Sequence, residues 1–192
     1  MRVFLAVLVL IFSLQSWSKA DDIIDFEIEG MSIGDSLLQF FSEDEIKEKI
    51  LTPYKSDKFS LWLSPKKSRA RFKTFDYIQV HFKTNDNKFI LHTIDGYIDY
   101  SKKNIEDCYK QMDEIVLELS EIFININKSE KQTTGHPDDE FGKFTDVVFK
   151  FKDGDMAIVE CNDWTEGSGT NDKLGVKLGT REFINWINTE AY

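Results

Sequence analysis

Cys108 and Cys161 are the only two cysteines of this 192-residue chain. In an oxidising compartment an even cysteine count favours a disulfide over free thiols. Cys108 falls on the apolar side of a helical pattern, and Cys161 shares strand parity with Ala157 and Val159. Those two faces are suited to pack on each other, so the pair is expected to bridge a helix to a strand. The competing reading is two separate buried thiols behaving as small hydrophobes. No C-x-x-C spacing is present, which argues against a redox role.

Other residues have chemical types without a chemical pattern. His136, Pro137, Asp138, Asp139 and Glu140 include metal-ligating side chains. Zinc, however, wants ligands spaced over defined elements, and a contiguous cluster in a polar stretch reads as a solvated loop. The acidic loop at 163–172 has the residue types for weak calcium binding but lacks the ordered alternation of an EF-hand. His81 and His92 fall on two strands of one expected hairpin, where polar-face histidines are commoner than ligands. Lys66, Lys67, Arg69 and Arg71 form the one notable basic run, suited to contact anionic headgroups or an acidic partner. The commoner fate of such a run is a solvated connector. Trp62, Trp164 and Trp186 read as core or rim residues. No phosphate loop, dinucleotide fingerprint, H-E-x-x-H or G-x-S-x-G occurs. No catalytic residue, metal site or cofactor is nominated.

The elements that must position these residues begin after an export signal. Arg2 precedes an apolar run at 3–14, and Ser18-Lys19-Ala20 forms a small-x-small cleavage site. The run is shorter than the roughly 20 residues a spanning helix needs. Cleavage after Ala20 and a periplasmic or secreted location are therefore expected, with residues 21–192 as one domain and no transmembrane segment in the mature chain. Without Arg2 and Lys19, 22 basic residues face 34 acidic ones, a net charge of −12. So acidic a protein is repelled by nucleic acid as a whole. Phe, Tyr, Met, Ile, Asn and Lys total 74 residues against 22 for Gly, Ala, Arg and Pro. That imbalance is the codon signature of an AT-rich bacterial genome.

Along the mature chain, Asp35 is placed to cap a short helix at 36–41. Ser42 and Glu45 form a capping box for a second helix reaching residue 50. Leu37, Leu38, Phe41, Ile46 and Ile50 are expected in the core. A short strand follows at 59–63. Strands at 77–83 and 88–95 form a hairpin about Asn85-Asp86-Asn87. Apolar positions spaced by three and four from Ile105 to Phe123 predict the longest helix, over 104–123. Residues 125–140 read as a polar surface loop. Asp153-Gly154 joins a second hairpin, 147–152 and 156–161. A last strand at 173–178 and a helix capped by Thr180 close the chain. The reading is α+β: an antiparallel sheet in the order α-α-βββ-α-βββ-α with the helices packed on one face.

Ile33-Gly34-Asp35-Ser36-Leu37-Leu38 with Phe41-Ser42-Glu43-Asp44-Glu45-Ile46, then Ile94-Asp95-Gly96-Tyr97 and Asn104-Ile105-Glu106-Asp107-Cys108-Tyr109, resembles a family of small exported proteins from AT-rich marine bacteria. The resemblance spans nearly all of the mature chain and implies an envelope location, with no assigned activity. A fainter likeness is to small barrel-assembly lipoproteins, from which the absence of a lipidated cysteine separates this chain. A non-enzymatic binding module with an envelope partner is the expected function. The rival is a small hydrolase or ligand-binding protein with a site built from loops 125–140 and 162–172.

Overall fold

The computed structural model describes residues 22–64, 72–100, 104–123, 125–135, 142–165 and 168–192. The expected export signal at 1–20, the basic residues Lys66, Lys67, Arg69 and Arg71, and the 136–140 cluster lie outside them. Among the described residues, no helix is long and apolar enough to cross a membrane.

The capping box at Ser42 is present, with both the hydroxyl and the Glu45 carboxylate satisfying N-terminal N–H groups of helix α1, Glu43–Glu48. The preceding helix is a single 3-10 turn, Leu37–Gln39, and its cap is Ser36, not Asp35. Asp35 instead accepts the backbone N–H of Ser32 at 2.8 Å. Leu37, Phe41 and Ile46 are buried, whereas Leu38 is 42% exposed. The chain leaves α1 early, because Ile50–Leu51 forms strand β1 against Phe59–Leu63, β2.

Strand β3, Tyr77–Lys83, pairs with β4, Thr93–Tyr100. The second strand thus lies five residues later than its alternation suggests. Residues 88–91 have other partners: Leu37 N–H donates to Phe89 C=O, Gly34 N–H to Leu91 C=O, and Leu91 N–H to Asp35 C=O. Phe89 and Leu91 are buried. Their apolar side chains therefore serve the docking of the opening segment, and the ladder starts only at Thr93.

Helix α2, Ile105–Ile122, buries Cys108, Met112, Ile115 and Leu119, one stripe at three- and four-residue spacing. Residues expected as loop supply two edge strands, β5 (Asn127–Lys128) and β6 (Gln132–Gly135), both against β7, Gly142–Lys150. The Asp-Gly hairpin then joins β7 to β8, Met156–Trp164, with Gly154 at φ +97° where a side chain would be strained. Strand β9, Asp172–Gly179, leads into helix α3, Arg181–Thr189, capped by Thr180.

The nine strands among the described residues form one antiparallel sheet in the order β1-β2-β3-β4-β9-β8-β7-β5, with β6 also on β7. The last strand lies in the middle, joining the two meanders. The fold is α+β in the broad sense but dominated by its sheet, and the expected element order does not hold.

Nor do the helices share a face. Register carries Val80 to Ile94, Leu178 and Ala157, hence to Val159 and Cys161, all in one core with α2. His81 maps through Thr93 to Gly179 on the opposite face. There α3 packs: Phe183 and Trp186 cluster with Phe59, and the His81 and Phe183 rings lie 4.4 Å apart. Period-two alternation along β2 and β3 makes this possible, since Phe59 and His81 alternate with Ser60 and Val80.

Candidate functional site

Cys108 and Cys161 form a disulfide between α2 and β8, with Cα atoms 6.1 Å apart and both side chains fully buried. The expected bridge is thus present, and it fixes which face of β8 is core. Its neighbours Glu160 and Asn162 must point to the other face.

On that face the register brings charged residues together. Asp95 lies opposite Gln79 on β3 and Lys177 on β9. Gly175 lies opposite Tyr97 on one side and Glu160 on the other. A Cβ at Gly175 would come within 3.1 Å of both the Glu160 side chain and the Tyr97 ring. The missing side chain is what lets those two groups approach across the central strand.

Lys177 Nζ sits 2.6 Å from Glu160 Oε1, with side chains 27% and 13% exposed. Asn162 Nδ2 donates to Glu160 Oε1 at 2.9 Å, and Gln79 Nε2 donates to Asp95 Oδ2 at 3.2 Å. Tyr77 and Tyr97 stack at 5.0 Å between centroids. Lys173 Nζ lies 5.5 Å from the Tyr97 ring centre and 5.7 Å from that of Trp164, and donates to the Tyr77 hydroxyl at 3.4 Å. Tyr77, Glu160, Lys173, Trp164 and Phe144 are half-buried, while Asp95, Tyr97 and Asn162 are buried.

Burial pushes the Asp95 carboxyl up to about 7, with Lys177 opposing and Glu160 reinforcing the shift. Burial also works against the Lys177 charge, but Tyr97, Glu160 and Asp95 hold its pKa above the ordinary lysine value. Burial raises the phenols of Tyr77 and Tyr97. The cluster is therefore a protonated lysine held among acidic groups and neutral phenols. A lysine in that state is a hydrogen-bond donor and not a nucleophile.

His81 occupies the covered end of the same face. Its Nε2 meets the Tyr54 hydroxyl at 2.7 Å and its Nδ1 the Thr93 hydroxyl at 2.7 Å. Burial lowers its pKa to about 3, Lys177 adding to the effect, so the ring is neutral and bridges two elements. His92 turns away, with Nδ1 3.3 Å from Thr180 Oγ1 and 3.9 Å from a Glu182 oxygen. The two histidines do not form a joint site.

The loop expected at 162–172 is shorter at both ends: Trp164 ends β8, Asp172 begins β9, and the Asp172 carboxylate accepts the Trp164 N–H at 2.8 Å. Among the described residues, no group of three His, Cys, Asp or Glu side chains is arranged to hold a metal. Trp62 and Trp186 are fully buried and Trp164 is half-buried. Two cavities, one lined by Phe26, Ile28, Phe75, Ile115, Leu119 and Val176 and another by Met31, Phe40, Phe41 and Phe72, both lie away from the polar cluster.

Sequence reasoning missed Asp95, Glu160, Asn162 and Lys177. Each is a polar residue set at period two between apolar ones, in strands whose registers bring them together. Lys173, Gly175 and Lys177 at alternate positions of β9 carried the only local hint of a polar face. Comparison with protein-family models, with curated proteins and with solved structures finds no match to this chain.

Proposed function

We propose that the chain is an exported, non-enzymatic binding module of the cell envelope. Its recognition surface is the sheet face around Tyr77, Glu160, Lys173 and Trp164, beyond the end that α3 covers. The observation that carries this reading is the half-buried cluster itself: aromatic rings and fixed charges presented together on a rigid sheet. Aromatic side chains with a few placed polar groups are what binding surfaces concentrate. The leader-like residues 1–20 and the buried disulfide support export.

Hydrolysis finds less support. His81 is shared between Tyr54 and Thr93 beneath α3, with no carboxylate among the described residues oriented on it. The test is cross-linked capture of envelope components by the native protein and by Tyr77→Ala and Trp164→Ala variants. Leu117→Ser on the exposed side of α2 serves as control. Loss of captured material in the two sheet-face variants, with the control unchanged, is the expected result. Equal capture by all would sink the reading.

A further inference from the structure

Asn162 is 3% exposed, and its Oδ1 has no hydrogen-bond partner among the described residues. The amide cannot simply be turned round, because Nδ2 is committed to the Glu160 carboxylate at 2.9 Å and the carbonyl oxygen would be repelled there. A buried acceptor without a donor lowers stability, so one kept in a packed face calls for an explanation. Its register neighbours on the same face are Phe144 and Lys173, both half-buried.

From these observations we propose that the face around Asn162 binds a neutral saccharide, whose hydroxyl donates to Asn162 Oδ1. The proposal rests on the binding-module reading and specifies its ligand. A sugar hydroxyl donates and accepts at once, which suits an orphan acceptor on an amide already committed to the Glu160 carboxylate. Glu160 and Lys177 already neutralise each other at 2.6 Å, so an uncharged ligand adds no uncompensated charge. The Trp164, Tyr77 and Phe144 rings supply the flat apolar faces against which a pyranose ring packs. To uncover Asn162, its register neighbour Lys173 gives up its contacts with the Tyr77 hydroxyl and the Tyr97 and Trp164 rings on binding.

Trp62 and Trp186 are fully buried, so Trp164 is the described tryptophan placed to report on this face. The purified, oxidised protein is titrated with maltotriose, triacetylchitotriose and lactose, and separately with trigalacturonate and trilysine, while tryptophan emission is followed. Asn162→Ala is run in parallel, with its thermal midpoint measured. The expected result is a saturable change with at least one neutral sugar. In Asn162→Ala the affinity falls at least tenfold while the thermal midpoint is held or raised. No response to any neutral sugar, or equal affinity in a folded Asn162→Ala, overturns the proposal. A response to trigalacturonate or trilysine alone overturns the ligand class while leaving the face a binding surface. If no probe binds and the sheet-face variants also capture as the native protein does, both readings fall.

Discussion

Lys177 and Glu160 meet at 2.6 Å on the sheet face opposite the disulfide, with only 27% and 13% of their side chains exposed. Such a pair gives little net stability over an apolar replacement, but losing one partner strands the other. Glu160→Gln is expected to destabilise the fold by about 2 kcal/mol, less than for a fully buried pair because Lys177 retains some solvent. Lys177→Met combined with Glu160→Gln should recover most of that loss. Urea midpoints of the two singles and the double decide it, and additive losses would show the pair uncoupled.

Asp95 adds a pH dependence of defined sign. Its carboxyl is raised from 3.8 to about 7 by burial, facing Lys177 on β9, Glu160 on β8 and Gln79 on β3. Between those values the folded state holds more protons than the unfolded state, so this group's contribution is complete below pH 4 and is lost as pH rises through 7. Asp95→Asn removes the loss. Relative to the native protein it should gain about 2–4 kcal/mol between pH 4 and 8. A constant difference across that range would contradict the assignment.

His81 works in the opposite sense. Its pKa falls from 6.5 to about 3, so the unfolded state binds the extra proton and stability is lost as pH drops from 6.5 towards 3. His81→Gln should flatten that acid limb, most of its effect appearing below pH 6. Asp95 and His81 oppose each other between pH 4 and 6.5, so removing His81 leaves the Asp95 dependence exposed there. Chemical denaturation of each variant across pH separates the two.

The Cys108–Cys161 bridge closes a segment with a sequence separation of 53. The chain-entropy account gives about 4 kcal/mol for such a loop, and native bridges of this kind usually contribute about 2–5. The double variant Cys108→Ala with Cys161→Ala should lose stability in that range. Both sulfurs are fully buried, so a mild reductant under native conditions should leave the bridge intact until the protein opens. Thiol titration with and without denaturant reads this directly.

How much was legible follows from which interactions are local. The α2 stripe, the Ser42 capping box, the Asp153-Gly154 turn and the pairing of Cys108 with Cys161 are all written in short-range spacing or simple parity. The start of β4 was not, because Phe89 and Leu91 alternate like a strand yet spend their backbone groups on Gly34, Asp35 and Leu37. Edge strands β5 and β6 are polar and solvent-exposed, so no apolar alternation announces them. The polar face needs three strands, β4, β9 and β8, in register before Asp95, Glu160, Asn162 and Lys177 meet, and β9 reaches its central place only through long-range pairing. Placing α3 on the opposite face from α2 required knowing that His81 and Phe59 share one side.

The central claim is that this face, and not the outer side of α2, recognises a partner or ligand. A photo-reactive benzoylphenylalanine at Ile158, opposite Lys177 on the same face, is compared with one at Leu117, which is 64% exposed on α2. Irradiation of intact envelopes should give a discrete adduct from position 158 and none from 117. Adducts from 117 alone, or from neither position, would contradict the account.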